Sequence, residues 1–343
     1  MRWGFKAHLT LGCLIWGCLA IHVVNSWHNT FEPGRRLIPL LFLLSPAVLI
    51  PLGWRFGAES ERDRHEVWES VCLLLLAFSL LRSQFHNVDP LSALEEPLDD
   101  MTRFHGWLDL KGYLKGFCVL PWFLLQTRIA MIVISRWFIA GFPNLSLLCI
   151  DVSRIFPAIG SAWLVAATFG WFPFRFDPLI VLLTAVHFHH AGVTLPLIAG
   201  LNAKAAPGCW TRFSCVAILL GVPLVAAGIM CTQFGVLPFM EPFGVTILVL
   251  GSLVVALSQF ARGARSRSGF SVWTRVGFLV SGISLLEAML LAMAFGLRYH
   301  FPSISITMAQ MWTTHGTLNA FGFGLCGLLA WRGALKPVNT LKD

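Results

Sequence analysis

Charge is what this chain has least of. Only 12% of its 343 residues are Asp, Glu, Lys or Arg, against about 25% in an ordinary soluble domain. With 56% hydrophobic residues, no soluble fold hides the apolar surface, and the chain reads as a polytopic membrane protein. The other absences exclude further classes. The nine cysteines form no CxxC pair, which removes a zinc ribbon or a thioredoxin-like motif and leaves most of them as small core residues. No small-x-small site such as A-x-A follows the first apolar run, so that run is expected to stay as a helix rather than be cleaved as a secretory signal. The acidic run Glu95, Glu96, Asp99, Asp100 lacks EF-hand spacing. No soluble basic face exists for nucleic acid, and no internal repeat of the transporter kind is visible. The net charge of +8 is instead matched to anionic membrane lipids.

What is present is a succession of apolar runs. They predict an all-α transmembrane helix bundle of about ten spans, near residues 8–26, 38–54, 67–82, 116–134, 146–171, 178–200, 213–233, 243–261, 276–296 and 306–331. The third is short and the fourth is interrupted by Pro121 and Arg128, which leaves eight or nine open. Arg262, Arg265, Arg267 and Arg275 lie in one connection with no acid, so that connection is expected on the cytoplasmic side of a bacterial inner membrane, with both termini cytoplasmic. Residues 1–343 read as one transmembrane domain. Its longest polar excursion, about 83–115, is expected outside as a solvated connector.

Inside this apolar pattern sits the stretch TAVHFHHAGVTLPLIAG, residues 184–200, with His187, His189 and His190. His187 falls about nine residues into its span, roughly 14 Å deep. His187 and His190, three apart, share a face, and His189 points away from both. The tenth span runs in the same direction and brings His315 to the same depth, with Asn319 one turn further on. Glu287 lies midway along the ninth span. Ionisable groups in lipid are costly unless they pair or line a cavity, so these three helices are expected to converge on a functional pocket. His187, His189, His190 and His315 are the candidate metal ligands, for Zn, Cu or Fe, or as axial ligands of a haem. Glu287 and Asn319 are the candidate catalytic groups. Gly192, Gly316, Gly322 and Gly324 allow the His-bearing helices to approach closely. Pro196 deprives the Gly192 carbonyl of its helical partner, and either a bend or a tolerated transmembrane proline follows. Asp151 and Arg154, three apart, are placed to pair on one face; Arg128 either joins them or snorkels.

The strings LTAVHFHHAGVTLPLIAGL and THGTLNAFGFGL resemble the YndJ-like family of bacterial integral membrane proteins, whose members show a similar HFH segment followed by an HG-x-x-NA-x-GF segment. The resemblance covers mainly residues 150–335. It implies an integral membrane protein and gives no reaction. His190 stands where relatives are expected to carry an aromatic residue, which makes it less essential than His187, His189 and His315.

Three readings follow. One is a metal- or haem-binding membrane protein with redox or hydrolytic chemistry on a lipid-phase substrate. The second is a transporter or proton-coupled carrier using the His and Glu residues as a relay. The third is a non-catalytic sensor or assembly subunit that responds through imidazole protonation.

Overall fold

The computed structural model describes residues 3–25, 33–54, 70–77, 110–265, 269–304 and 306–335, and these contain helices and connections but no strand. Nearly all of the polar excursion expected at 83–115 lies outside the described residues. The helices are α1 (Trp3–Asn25), α2 (Pro33–Leu44), α3 (Ile50–Trp54), α4 (70–77), α5 (Leu110–Ala140), α6 (Leu145–Thr168), α7 (Pro178–Ala205), α8 (Cys209–Gln233), α9 (Met240–Ala264), α10 (Val272–Gly296), α11 (Met308–Gln310) and α12 (Cys326–Ala334). π-helical turns at Ser45–Leu49, Met311–His315 and Leu318–Leu325 join α2 to α3 and α11 to α12.

Among the described residues six helices are long and apolar enough to cross a membrane: 116–140 within α5, then α6, α7, α8, α9 and α10. Residues 7–21 and 40–53 are shorter apolar helices, and 70–77 is helical where the third span was expected. The tenth is broken into α and π pieces. The all-helical expectation therefore stands with six spans of full length, and the count of ten is not reached by that measure.

The chain divides into two compact units. The first comprises residues 1–47, 58–132 and 155–189. There α1 lies against α2: the Trp16 indole N–H donates to the Leu40 carbonyl at 2.9 Å, and a Cβ on Gly12 would collide with the backbone of Ala47. Gly116 of α5 receives the Phe169 ring, 2.5 Å from where its Cβ would stand.

The second unit comprises 48–57, 133–154 and 190–343. Its frame is a series of antiparallel neighbours set by small residues. On α8, Gly221 faces Leu248 and Gly228 faces Glu241; on α9, Gly244 faces Leu224 and Val225, and Gly251 faces Ala217. In each helix the two glycines are seven residues apart, two helical turns, so they fall on one stripe. At Gly221, Gly228 and Gly244 an added Cβ would meet partner backbone at under 3.0 Å, and no side-chain rotation relieves that. The helices touch backbone to backbone, which is how transmembrane pairs gain packing when lipid competes equally for large side chains. Ser214 adds a hydroxyl donated to the Gly251 carbonyl at 2.9 Å. Between α9 and α10, Gly282 sits on the Ala256 carbonyl and Gly263 on that of Arg275. Between α10 and the last span, Gly277 faces Ala330, Gly322 faces Ser284 and Gly327 faces Ser281. The outward sides of these helices carry exposed Leu220, Leu257 and Leu290, as lipid-facing surfaces do.

Two ends are locked by polar groups. Glu241 opens α9 almost fully buried, and Arg298, just past α10, meets it at 2.5 Å, while the Thr232 hydroxyl donates to its other oxygen at 2.6 Å. At the opposite end the Arg275 Nε donates to the Gly263 carbonyl at 3.1 Å, and Ser271 caps α10 by accepting from the Thr274 amide.

Replacing Gly228 with Leu is expected to separate α8 from α9 and to lower thermal stability in detergent by about 1–3 kcal/mol. Arg298→Met strands a buried carboxylate and is expected to cost about 3–5 kcal/mol. Adding Glu241→Gln to Arg298→Met should restore part of that loss, which thermal unfolding of the double variant measures.

Candidate functional site

His189 is the centre of the first unit and is fully buried. The Trp122 indole N–H lies 3.0 Å from its Nε2, and the Ala185 carbonyl lies 2.8 Å from its Nδ1. An indole only donates and a carbonyl only accepts, so Nε2 bears the lone pair and Nδ1 bears the proton. The ring is held as one neutral tautomer. Phe42 packs edge-on at 4.7 Å between centroids, and Trp122 stacks on it at 6.2 Å. Gly160 makes room, since a Cβ there would stand 2.5 Å from Nδ1. The Ser45 hydroxyl donates to the His189 carbonyl, and Ser161, whose hydroxyl donates to the Pro157 carbonyl at 2.6 Å, stands 3.4 Å from Nε2. Gln126, one turn beyond Trp122 on α5, is also fully buried, and neither end of its amide has a hydrogen-bond partner among the described residues. Such an amide keeps hydrogen-bonding capacity for a water or small solute.

The second unit holds His315, at the end of the π-turn Met311–His315. Its Nδ1 lies 2.8 Å from the Ala288 carbonyl of α10, so Nδ1 again carries the proton. Its Nε2 lies 3.1 Å from Nδ2 of Asn319, which also donates to the His315 carbonyl at 3.0 Å. Two acceptors thus face the two N–H bonds of one amide. Asn319 is buried within the second π-turn, Leu318–Leu325. The span begins with a capping box, in which Thr307 accepts from the Gln310 amide and Gln310 accepts from that of Thr307.

The second half of α7 runs alongside this span. Gly324 faces Thr194 and Gly327 faces Ile198, so the two helices are parallel and in contact, as their glycines suggested. The register of that contact brings His190, buried, to the level of Asn319 and Ala320. The helix continues unbroken through Pro196. The Thr194 hydroxyl donates to the His190 carbonyl at 2.9 Å.

The remaining sequence candidates fall elsewhere. His187 is exposed while His190 is buried; a separation of three leaves about 60° between them, enough to part the two sides of α7. Glu287 is exposed, and it is the next residue, Ala288, that is buried and receives His315. His187 and His189 belong to the first unit, and His190, His315, Asn319 and Glu287 to the second. Within either unit, no three His, Cys, Asp or Glu side chains among the described residues group to hold a metal ion. The expected metal site on His187, His189, His190 and His315 therefore finds no support among the described residues. His189 and His315 already engage both ring nitrogens with protein groups, which leaves no lone pair directed at a zinc, copper, iron or haem.

Asp151 does pair, though Arg154 at 3.9 Å is its looser partner. Arg136 at 3.2 Å and the Trp137 indole at 3.0 Å hold it more closely, and Arg128 is exposed.

Long helices with lipid-facing flanks, glycine-stripe packing and internally satisfied imidazoles define a multi-pass helical membrane protein. A family model described as YndJ-like protein matches residues 105–323, and the chain belongs to that family. The match takes in all the candidate histidines, and it begins upstream of the 150–335 stretch in which the resemblance is visible by motif. The uncharacterized membrane protein YndJ of Bacillus subtilis (strain 168) is 27% identical over 238 residues, which cover 68% of this chain and 41% of that protein. The chain thus spans less than half the length of that relative. No solved structure gives a significant match.

Trp122→Phe keeps the ring contact and deletes the N–H that donates to His189 Nε2 at 3.0 Å. Stability is expected to fall by about 1–3 kcal/mol, which thermal unfolding in detergent measures. An unchanged melting temperature would refute this account of the first unit.

Proposed function

We propose that this protein is a proton-linked carrier of the bacterial inner membrane, with His315 as its proton-bearing group and Asn319 as the partner that switches. The observation that supports it is the different company kept by the two satisfied imidazoles. His189 Nε2 faces an indole N–H, which can only donate, so a proton arriving there meets another proton. His315 Nε2 faces a primary amide, which donates from one end and accepts at the other. When Nε2 takes a proton, Asn319 turns its Oδ1 toward it and the hydrogen bond survives. The turn withdraws Nδ2 from the His315 carbonyl, inside a stretch of backbone that is already π-helical. Such turns are uncommon and concentrate at working sites of helices. Protonation is thereby coupled to the backbone of the last span, whose glycines face α7 and α10.

His190, buried at the same level, supplies a second imidazole near the switch. His187 and Glu287, both exposed, stand outside it. Metal or haem ligation has no place in this reading, because the Nε2 lone pairs of His189 and His315 are used within the protein. The arginine-rich connection supports a cytoplasmic placement of that end of the bundle.

The test is proton movement into proteoliposomes that enclose a pH-sensitive dye, after an external acid step, with and without a bacterial small-molecule extract outside. Flux dependent on the extract is expected for the wild-type chain and for His187→Ala. Loss of at least tenfold is expected for His315→Ala and Asn319→Leu, both still inserted in the membrane. Equal flux in protein-free vesicles and in all four preparations would rule the carrier out.

A further inference from the structure

A second polar cluster lies in the second unit, at the arginine-rich end, away from His315 along the chain. Arg262, in the last turn of α9, lays its guanidinium over the Trp331 ring with its carbon 4.7 Å from the centroid, and its Nε donates to Oδ1 of Asn202 at 3.3 Å. Around this one cation are hydrogen-bonding atoms with no partner among the described residues: Nδ2 of Asn202, Nε1 of Trp331, and both amide ends of Gln259, one turn back on the same face of α9. Asn202 and Trp331 are 2% exposed and Gln259 is 0% exposed. An unpaired N–H in so dry a place is destabilising, since it loses its water and gains nothing in return. Three side chains so placed around a half-buried guanidinium are not accounted for by packing.

The set has a chemical bias. Asn202 Nδ2, Trp331 Nε1 and Gln259 Nε2 are donors, Arg262 is a cation, and Arg265, Arg275 and Arg332 are close in sequence on the same ends of α9, α10 and α12. No acid occurs between 242 and 286. We propose that Arg262, Asn202, Trp331 and Gln259 form a binding site for a phosphate group, presented either by an anionic phospholipid headgroup or by a free phosphate. Guanidinium and phosphate match in geometry and charge, and a helix end at the membrane surface is where such headgroups lie. The guanidinium, resting on Trp331, closes the site; as it moves to meet the phosphate, the amide and indole N–H groups behind it gain acceptors. The Gln259 Oε1 suits a hydroxyl on the same ligand.

The full chain in a neutral detergent is titrated with phosphatidylglycerol, with phosphatidylcholine and with inorganic phosphate, and thermal unfolding is followed. Phosphatidylglycerol is expected to raise the melting temperature at concentrations at least tenfold below those at which phosphatidylcholine acts. Arg262→Gln should weaken that response about tenfold or more. Trp331→Phe is the cleaner variant, since it keeps the ring under the guanidinium and removes only the N–H; it should fold at least as well as wild type without lipid and still lose about threefold in response. If inorganic phosphate acts alone and the lipids do not, the ligand is a free phosphate and the residues assigned stand. Equal responses to both lipids, with no response to phosphate and no change in Trp331→Phe, would overturn the site.

Discussion

A hydrogen-bonding group inside a bilayer has no water to fall back on, and the structure of both units follows from where each such group finds its partner. His189 is satisfied by an indole and its own helix, His315 by a neighbouring helix and an amide on its own, Glu241 by an arginine and a threonine. Each solution ties together segments far apart in sequence. Because the alternative is an unpaired group in hydrocarbon, these ties fix which helices adjoin and in what register. The glycines then let the backbones close up around them, and serines on α8 and α10 supply cross-helix donors, as Ser281 does to the Phe323 carbonyl at 3.1 Å.

The same requirement separates histidines that look alike in sequence. Two of them have the same proton on the same ring atom, yet one is bonded to a group that can never reverse its role and the other to a group that can. Function is thus read less from the imidazole than from its partner. The contrast also weighs against His189 and His315 as metal ligands, since a ligand nitrogen must offer its lone pair outward.

Much of the fold is legible from composition alone. Apolar runs place α5 to α10 within a few residues, and the parallel contact of the two His-bearing helices is foreshadowed by Gly324 and the small residues of α7. Asp151 and Arg154 are visible at helical spacing. What stays hidden depends on partners distant in sequence. Trp122 precedes His189 by 67 residues, and Arg298 follows Glu241 by 57; neither pairing leaves a local signature. Rotation about the helix axis is the other loss. Counting residues gave Glu287 a depth but not a direction, and one step along α10 separates exposed Glu287 from buried Ala288. His187 and His190 show the same limit. One signal was available and unused: Thr307 followed three residues later by Gln310 is a capping box, and it marks where the last span begins.

The π-turns of that span carry a consequence for its numbering. Each wide turn takes up about one residue more than an α-turn for the same circuit, so the π-turn Leu318–Leu325 by itself rotates everything after it by about 100° relative to an uninterrupted helix. Leu328, Ala330 and Trp331 face inward, and Leu329 outward, only because the extra residues precede them. The inner face of α12 is therefore phased by residues that lie a turn or more before it. Among relatives, a chain one residue shorter between 318 and 325 should carry its apolar pattern in α12 displaced by one position, with both chains burying the same surface.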